Sequence, residues 1–114
     1  MMFDKDGYPT DEYLNSIADF DGNIVELLEM VKDAWRYPDR AQLIDGIYVF
    51  STGGWSGNED LIGALQKNKL WWFHSWNSID LTGGFLAIAV TKKGNDKIAH
   101  AHSLVTELLW MEGK

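Results

Sequence analysis

Residues 70–90 read LWWFHSWNSIDLTGGFLAIAV, and how this stretch pairs decides the fold. Alternation over Leu70 to Trp76 puts Leu70, Trp72, His74 and Trp76 on one face of a strand and Trp71, Phe73 and Ser75 on the other, with both faces mostly covered. Asn77 to Gly84 supplies turn residues, and Phe85-Leu86-Ala87-Ile88-Ala89-Val90 is a second β-prone run, so the stretch predicts an antiparallel hairpin.

Upstream of it, Ile47-Tyr48-Val49-Phe50 follows Asp45-Gly46 and reads as a buried strand, whose neighbour in the sheet the pattern leaves open. A glycine-rich loop, Ser51 to Asn58, leads to a helix from about Glu59 to Lys67. Ser56 or Asn58 is its expected cap, Leu61, Ile62 and Leu65 its inner side, and Asn68 its left-handed stop. Nearer the start, Thr10 caps a short helix that carries Tyr13, Leu14 and Ile17 and ends near Ala18 to Phe20. Asp21-Gly22-Asn23 turns the chain and caps a second helix, in which Ile24, Leu27, Leu28, Val31 and Trp35 form one apolar side and which Pro38 ends. Downstream, Lys93-Gly94-Asn95-Asp96 breaks the chain, and a last helix from about Lys97 to Met111 carries Ile98, Ala101, Val105, Leu108 and Leu109 on one side. The expected fold is α+β in the order ααβαββα, a small, mainly antiparallel sheet of about three strands packed against helices. With no repeat or linker in view, residues 1–114 are expected to form a single domain with an acidic two-helix segment at about 10–37.

A chain of 114 residues, 46% of them hydrophobic, can hold a core without staples, and its lack of cysteine excludes disulfides, a thiol nucleophile and thiolate metal sites. No basic-then-apolar leader is visible, and the apolar runs are far below the roughly 20 residues of a membrane span, so a soluble, cytoplasmic protein is expected. The net charge is −7, and residues 1–33 hold all of the imbalance: Asp4, Asp6, Asp11, Glu12, Asp19, Asp21, Glu26, Glu29 and Asp33 stand against Lys5 and Lys32. Nucleic-acid binding draws on clustered basic groups, so this balance argues against direct contact with nucleic acid and for a protein partner with a basic surface. Glu26, Glu29 and Asp33 fall at i, i+3 and i+7 on one helical face and are the expected contact residues; the alternative is a solvated face.

The loop Ser51-Thr52-Gly53-Gly54-Trp55-Ser56-Gly57-Asn58 between a strand and a helix has the outline of an anion-binding turn. Its glycines fit neither a phosphate-loop nor a dinucleotide signature, and Glu59 and Asp60 in the first helical turn would repel phosphate, which favours a structural turn. Trp55 stands apart from the other five tryptophans (Trp35, Trp71, Trp72, Trp76, Trp110), whose positions read as core. Its polar neighbours make it a second candidate anchor for a partner. In a rival reading, Gly53, Gly54, Trp55, Ser56, Gly57 and His74 line a pocket for a sugar or nucleotide. His100 and His102 point about 200° apart on a helix, so no metal site is expected, and no cofactor is implied. Ser75 or Ser56 with His74 and Asp80 form no recognisable triad, and no acid, base and nucleophile converge, so catalysis is not implied. The aromatic hairpin also leaves homo-oligomerisation open.

The segment Ser51 to Asp60 resembles one found in small uncharacterised proteins of bacteriophages and prophages, and the resemblance extends loosely from Tyr8 to Phe85. In those proteins a basic pair often precedes the two glycines, where this chain has Asp80-Leu81-Thr82 before Gly83-Gly84. The resemblance implies a phage setting without an activity. The expected function is therefore stoichiometric protein binding through the acidic N-terminal helical face, in the manner of an inhibitor of a host enzyme or defence complex.

Overall fold

The computed structural model describes residues 2–74, 78–81 and 84–100. Helix α1 (Asp11–Ala18) starts where Thr10 accepts a hydrogen bond from the Tyr13 N–H, with Asp11 and Glu12 at the positive end of the helix dipole. Helix α2 (Ile24–Asp33) opens with a capping box, in which the Asn23 side chain takes the Glu26 N–H and the Glu26 carboxylate reaches back to Asn23. It ends at Asp33, short of Pro38, which instead begins a 3-10 turn (Pro38–Arg40). Trp35 lies beyond the helix but still enters the core.

The sheet has four antiparallel strands where about three were expected, in the order β1-β2-β4-β3. Strand β1 (Ala41–Ile44) was not expected; it pairs with β2 (Ile47–Ser51) through the two-residue turn Asp45-Gly46, both of whose φ angles are positive, at 52° and 78°. That is the backbone of a type I′ hairpin turn, which matches the right-handed twist of the flanking strands. Strand β2 lies beside β4 (Phe85–Ala89), with Tyr48 opposite Ile88 and Phe50 opposite Leu86, and β3 (Ser78–Leu81) closes the far edge against β4.

Residues 70–76 do not form a strand. Helix α3 (Ser56–Lys67) is followed directly by α4 (Lys69–His74), and the partner of the last strand is the Ser78–Leu81 run inside the expected turn. Asn68 is extended (φ −80°, ψ 138°) rather than left-handed, because it works as a junction. Its Oδ1 accepts the Leu70 N–H at the start of α4, and its Nδ2 donates to the Ile17 and Phe20 carbonyls at the end of α1. Buried Trp71 and half-buried Leu70 and His74 beside exposed Trp72 and Phe73 follow helical spacing, which period-2 alternation cannot produce. Residues 75–77, which include Trp76, lie outside the described residues, as do 101–114 with most of the expected last helix.

The sheet is covered on both sides. Tyr48, Phe50, Leu86 and Ile88 face Ile17, Leu27, Leu28, Val31, Leu61, Leu65 and Trp71 from the four helices. Ile47, Val49, Ile79, Ala87 and Ala89 meet Ile98, which belongs to a helical stretch at 92–100. That stretch starts earlier than the expected Lys97, since Thr91 caps it by accepting the Gly94 N–H. Gly94 is a close-approach glycine, because a Cβ there would stand 2.5 Å from the Gly46 carbonyl oxygen of the hairpin turn. No helix of the described residues is long and apolar enough to cross a membrane.

Candidate functional site

The glycine-rich motif is built around Asn58. Its side chain is completely buried; Oδ1 accepts the Arg36 N–H at 3.0 Å, and Nδ2 donates to the Arg36 carbonyl at 3.1 Å and the Thr52 carbonyl at 3.2 Å. Trp35 adds a second tie, its indole N–H donating to the Ser51 carbonyl at 3.0 Å. Asn58 is therefore a brace between the loop and the α2–β1 connection, and neither it nor Ser56 caps α3, whose N-cap position is Trp55 with no side-chain bond. Thr52, also buried, donates its N–H to the Gly84 carbonyl and accepts the Gly54 N–H on its hydroxyl, while Gly53 and Gly54 both take positive φ.

The brace presents a strip of side chains to solvent. Trp55 lies over Gly57, where any Cβ would meet the indole ring. The Arg36 guanidinium carbon stands 4.7 Å from the Trp55 ring centroid and 5.7 Å from that of Tyr37, and Tyr8 packs on Trp55 with centroids 5.0 Å apart. The Tyr37 ring and the Arg40 side chain both lie beside Gly53, 3.5 and 3.6 Å from where a Cβ would stand. Tyr37 has φ 67°, a left-handed conformation that costs a residue with a Cβ about 1–2 kcal/mol. Sequence reasoning singled out Trp55 but missed Tyr8, Arg36, Tyr37 and Arg40. The available signal was that Arg36 and Arg40 are the chain's two arginines, four residues apart and flanking an aromatic.

The expected acidic stripe divides under inspection. Glu26 is occupied by the capping box, and half-buried Glu29 accepts the hydroxyl of Tyr48 at 2.7 Å. Burial first, and then the Glu29 hydrogen bond and charge, push the Tyr48 phenol well above its ordinary range. Asp33 is exposed and borders an open groove of about 560 Å³ lined also by Lys32, Trp35, Pro38, Ala41, Gln42 and Leu43. Its charge adds to burial in raising the Tyr13 phenol, whose hydroxyl donates to the Met30 carbonyl. Asp11, Asp19 and Asp21 are exposed as well, and like Asp33 they form no ion pair among the described residues.

The structure holds Gly53, Gly54, Trp55, Ser56 and Gly57 together in the loop and places His74 on α4, where its Nδ1 bonds to the Leu70 carbonyl of its own helix at 2.9 Å. The indoles of Trp35 and Trp71 are buried, whereas Trp72 is 65% exposed. No group of three or more His, Asp or Glu side chains among the described residues could hold a metal ion. Comparison with protein-family models, with curated proteins and with solved structures finds no match.

Proposed function

We propose that the protein acts by binding another protein stoichiometrically, docking the acidic α1–α2 surface on a partner with a basic surface. The observation that carries this reading is the set of exposed carboxylates Asp11, Asp19, Asp21 and Asp33, which have no cationic partner among the described residues and lie in the segment that holds the entire net charge of −7. Such a surface steers association with a cationic partner more than it adds contact energy. Glu26 and Glu29 contribute field, but their first task is to hold α2 and Tyr48 in place. The resemblance of Ser51 to Asp60 to phage and prophage proteins supports a setting in which the partner is a host enzyme or defence complex.

The test is capture from a bacterial lysate by the wild type and by D19N/D21N/D33N, which removes three charges from residues with no described side-chain hydrogen bond. A partner retained at roughly 0.05 M salt, released at roughly 0.5 M, and associating several-fold more slowly with the variant is the expected result. Equal retention by both proteins at both salt concentrations would remove the acidic surface from the function.

A further inference from the structure

The strip that runs from Tyr8 over Trp55, Arg36 and Tyr37 to Arg40 is independent of the acidic surface and has a chemistry of its own. It holds both arginines of a chain in which carboxylates outnumber cations 17 to 10, yet neither guanidinium has a carboxylate partner among the described residues. The backbone N–H and carbonyl of Arg36 are both clamped by buried Asn58, the Trp55 indole is seated on Gly57, and Tyr37 is held in a left-handed conformation by the turn around it. A fixed backbone under exposed side chains lowers the ordering cost of binding, and strained backbone is retained where the surroundings hold it in place.

We infer that this strip binds a nucleotide, the phosphate on Arg36 and Arg40 and the base stacked against the aromatic rings. Guanidinium forks match phosphate oxygens two at a time, and every nucleobase has a flat face that stacks on tryptophan or tyrosine. An acidic peptide would use the arginines but leave the rings without a flat partner. A long strand would meet repulsion on every side: Asp4 and Asp6 share the turn that leads to Tyr8, Asp39 lies between the arginines in sequence, and Glu59 sits in the first turn of α3. The charge pattern fits one nucleotide unit and not a polymer. His74, on α4 and bonded within its own helix, is not among the groups that hold it.

The experiment is calorimetric titration of the full chain with AMP, GMP, CMP and UMP at roughly 0.15 M salt, with adenosine and inorganic phosphate as the two half-ligands. One-to-one binding of at least one nucleotide, about tenfold or more tighter than either half-ligand, is expected, because base and phosphate contacts then act on one rigid strip. R40Q, whose side chain makes no described hydrogen bond, weakens it about tenfold with an unchanged melting temperature, and R36K does the same because an ammonium lacks the planar fork. No saturable nucleotide binding up to millimolar concentration overturns the inference, as does binding that R40Q and R36K leave intact. A 5′-phosphorylated oligonucleotide that binds more than about tenfold tighter than any mononucleotide would replace it with a strand. A glutamate-rich peptide that binds while nucleotides stay silent would replace it with an acidic protein partner.

Discussion

Replacing Asn58 with alanine removes the side chain that clamps both backbone groups of Arg36 to the glycine-rich loop, and the cost can be worked from its three hydrogen bonds. Arg36 is exposed, so water can reach its freed N–H and carbonyl, and each of those bonds is worth about 1 kcal/mol net. The Thr52 carbonyl is buried but also accepts the Trp55 N–H at 3.2 Å, so it stays paired and the third lost bond is likewise worth about 1 kcal/mol. The expected loss is about 3 kcal/mol, large against the roughly 5–15 kcal/mol that holds a typical domain together. Urea denaturation followed by tryptophan fluorescence measures it, with an unchanged slope showing that only stability has moved. Asn58→Asp keeps an oxygen for the Arg36 N–H but turns the donor atom into an acceptor facing two carbonyls, so near neutral pH it should cost at least as much. A loss below about 1 kcal/mol for the alanine variant would refute the brace, since the three bonds together would then be worth less than one ordinary hydrogen bond.

Two further predictions concern titrating groups. The Lys97 ammonium, with help from Lys93, holds the Asp45 carboxyl below its ordinary value of 3.8, so the stability it lends is present above that pH and is lost as pH falls below it. D45N keeps a residue that tolerates the positive φ of the hairpin turn, and its deficit in melting temperature at pH 7 should vanish near pH 2 and in roughly 1 M salt; a deficit that survives both would deny the ion pairs a role. Tyr48, raised above its ordinary 10.0 chiefly by burial, contributes stability that is intact below pH 10 and lost as pH rises beyond it. Y48F should cost about 1–2 kcal/mol at pH 7 through the lost bond to Glu29, and the gap to wild type should close above pH 10; a phenolate absorbance titration in which every tyrosine ionises before the fold opens would contradict this.

The amphipathic parts of the fold were legible because their signals are local. Thr10 and Asn23 cap the helices that follow them, and the period of Leu27, Leu28 and Val31 marks their inner face. Strand β1 was legible in principle, since Asp45-Gly46 between Ala41-Gln42-Leu43-Ile44 and Ile47-Tyr48-Val49-Phe50 is a strong hairpin signal, but the mostly exposed side chains of β1 leave no apolar pattern to find. The segment Leu70–His74 misled because five bulky side chains in a row fit either period, and the deciding contact is made by Asn68 to carbonyls of α1, about 50 residues away. The same limit hid the site. Spacing brings Glu26, Glu29 and Asp33 to one face but cannot show that Tyr48 claims Glu29. Trp55 was visible as an odd aromatic in a polar loop, whereas its contact with Arg36 exists only after Asn58 has joined the two segments.

That joining also accounts for the composition of the loop. Its small residues are used internally: Gly54 on the Thr52 hydroxyl, Gly57 under the Trp55 ring, Asn58 on two carbonyls. What the motif gains from this is control over a neighbouring segment, and Arg36 and Arg40 come with it. In a chain with seven carboxylates to spare, an arginine with no carboxylate partner among the described residues is more informative than an aspartate with no cation, because a nearby acid would be the ordinary way to satisfy it. The two surfaces can therefore be separated by mutation. D19N/D21N/D33N should leave nucleotide titrations unchanged, and R40Q should leave salt-sensitive protein capture unchanged. Loss of both activities in either variant would mean that the strip and the acidic face meet one and the same partner.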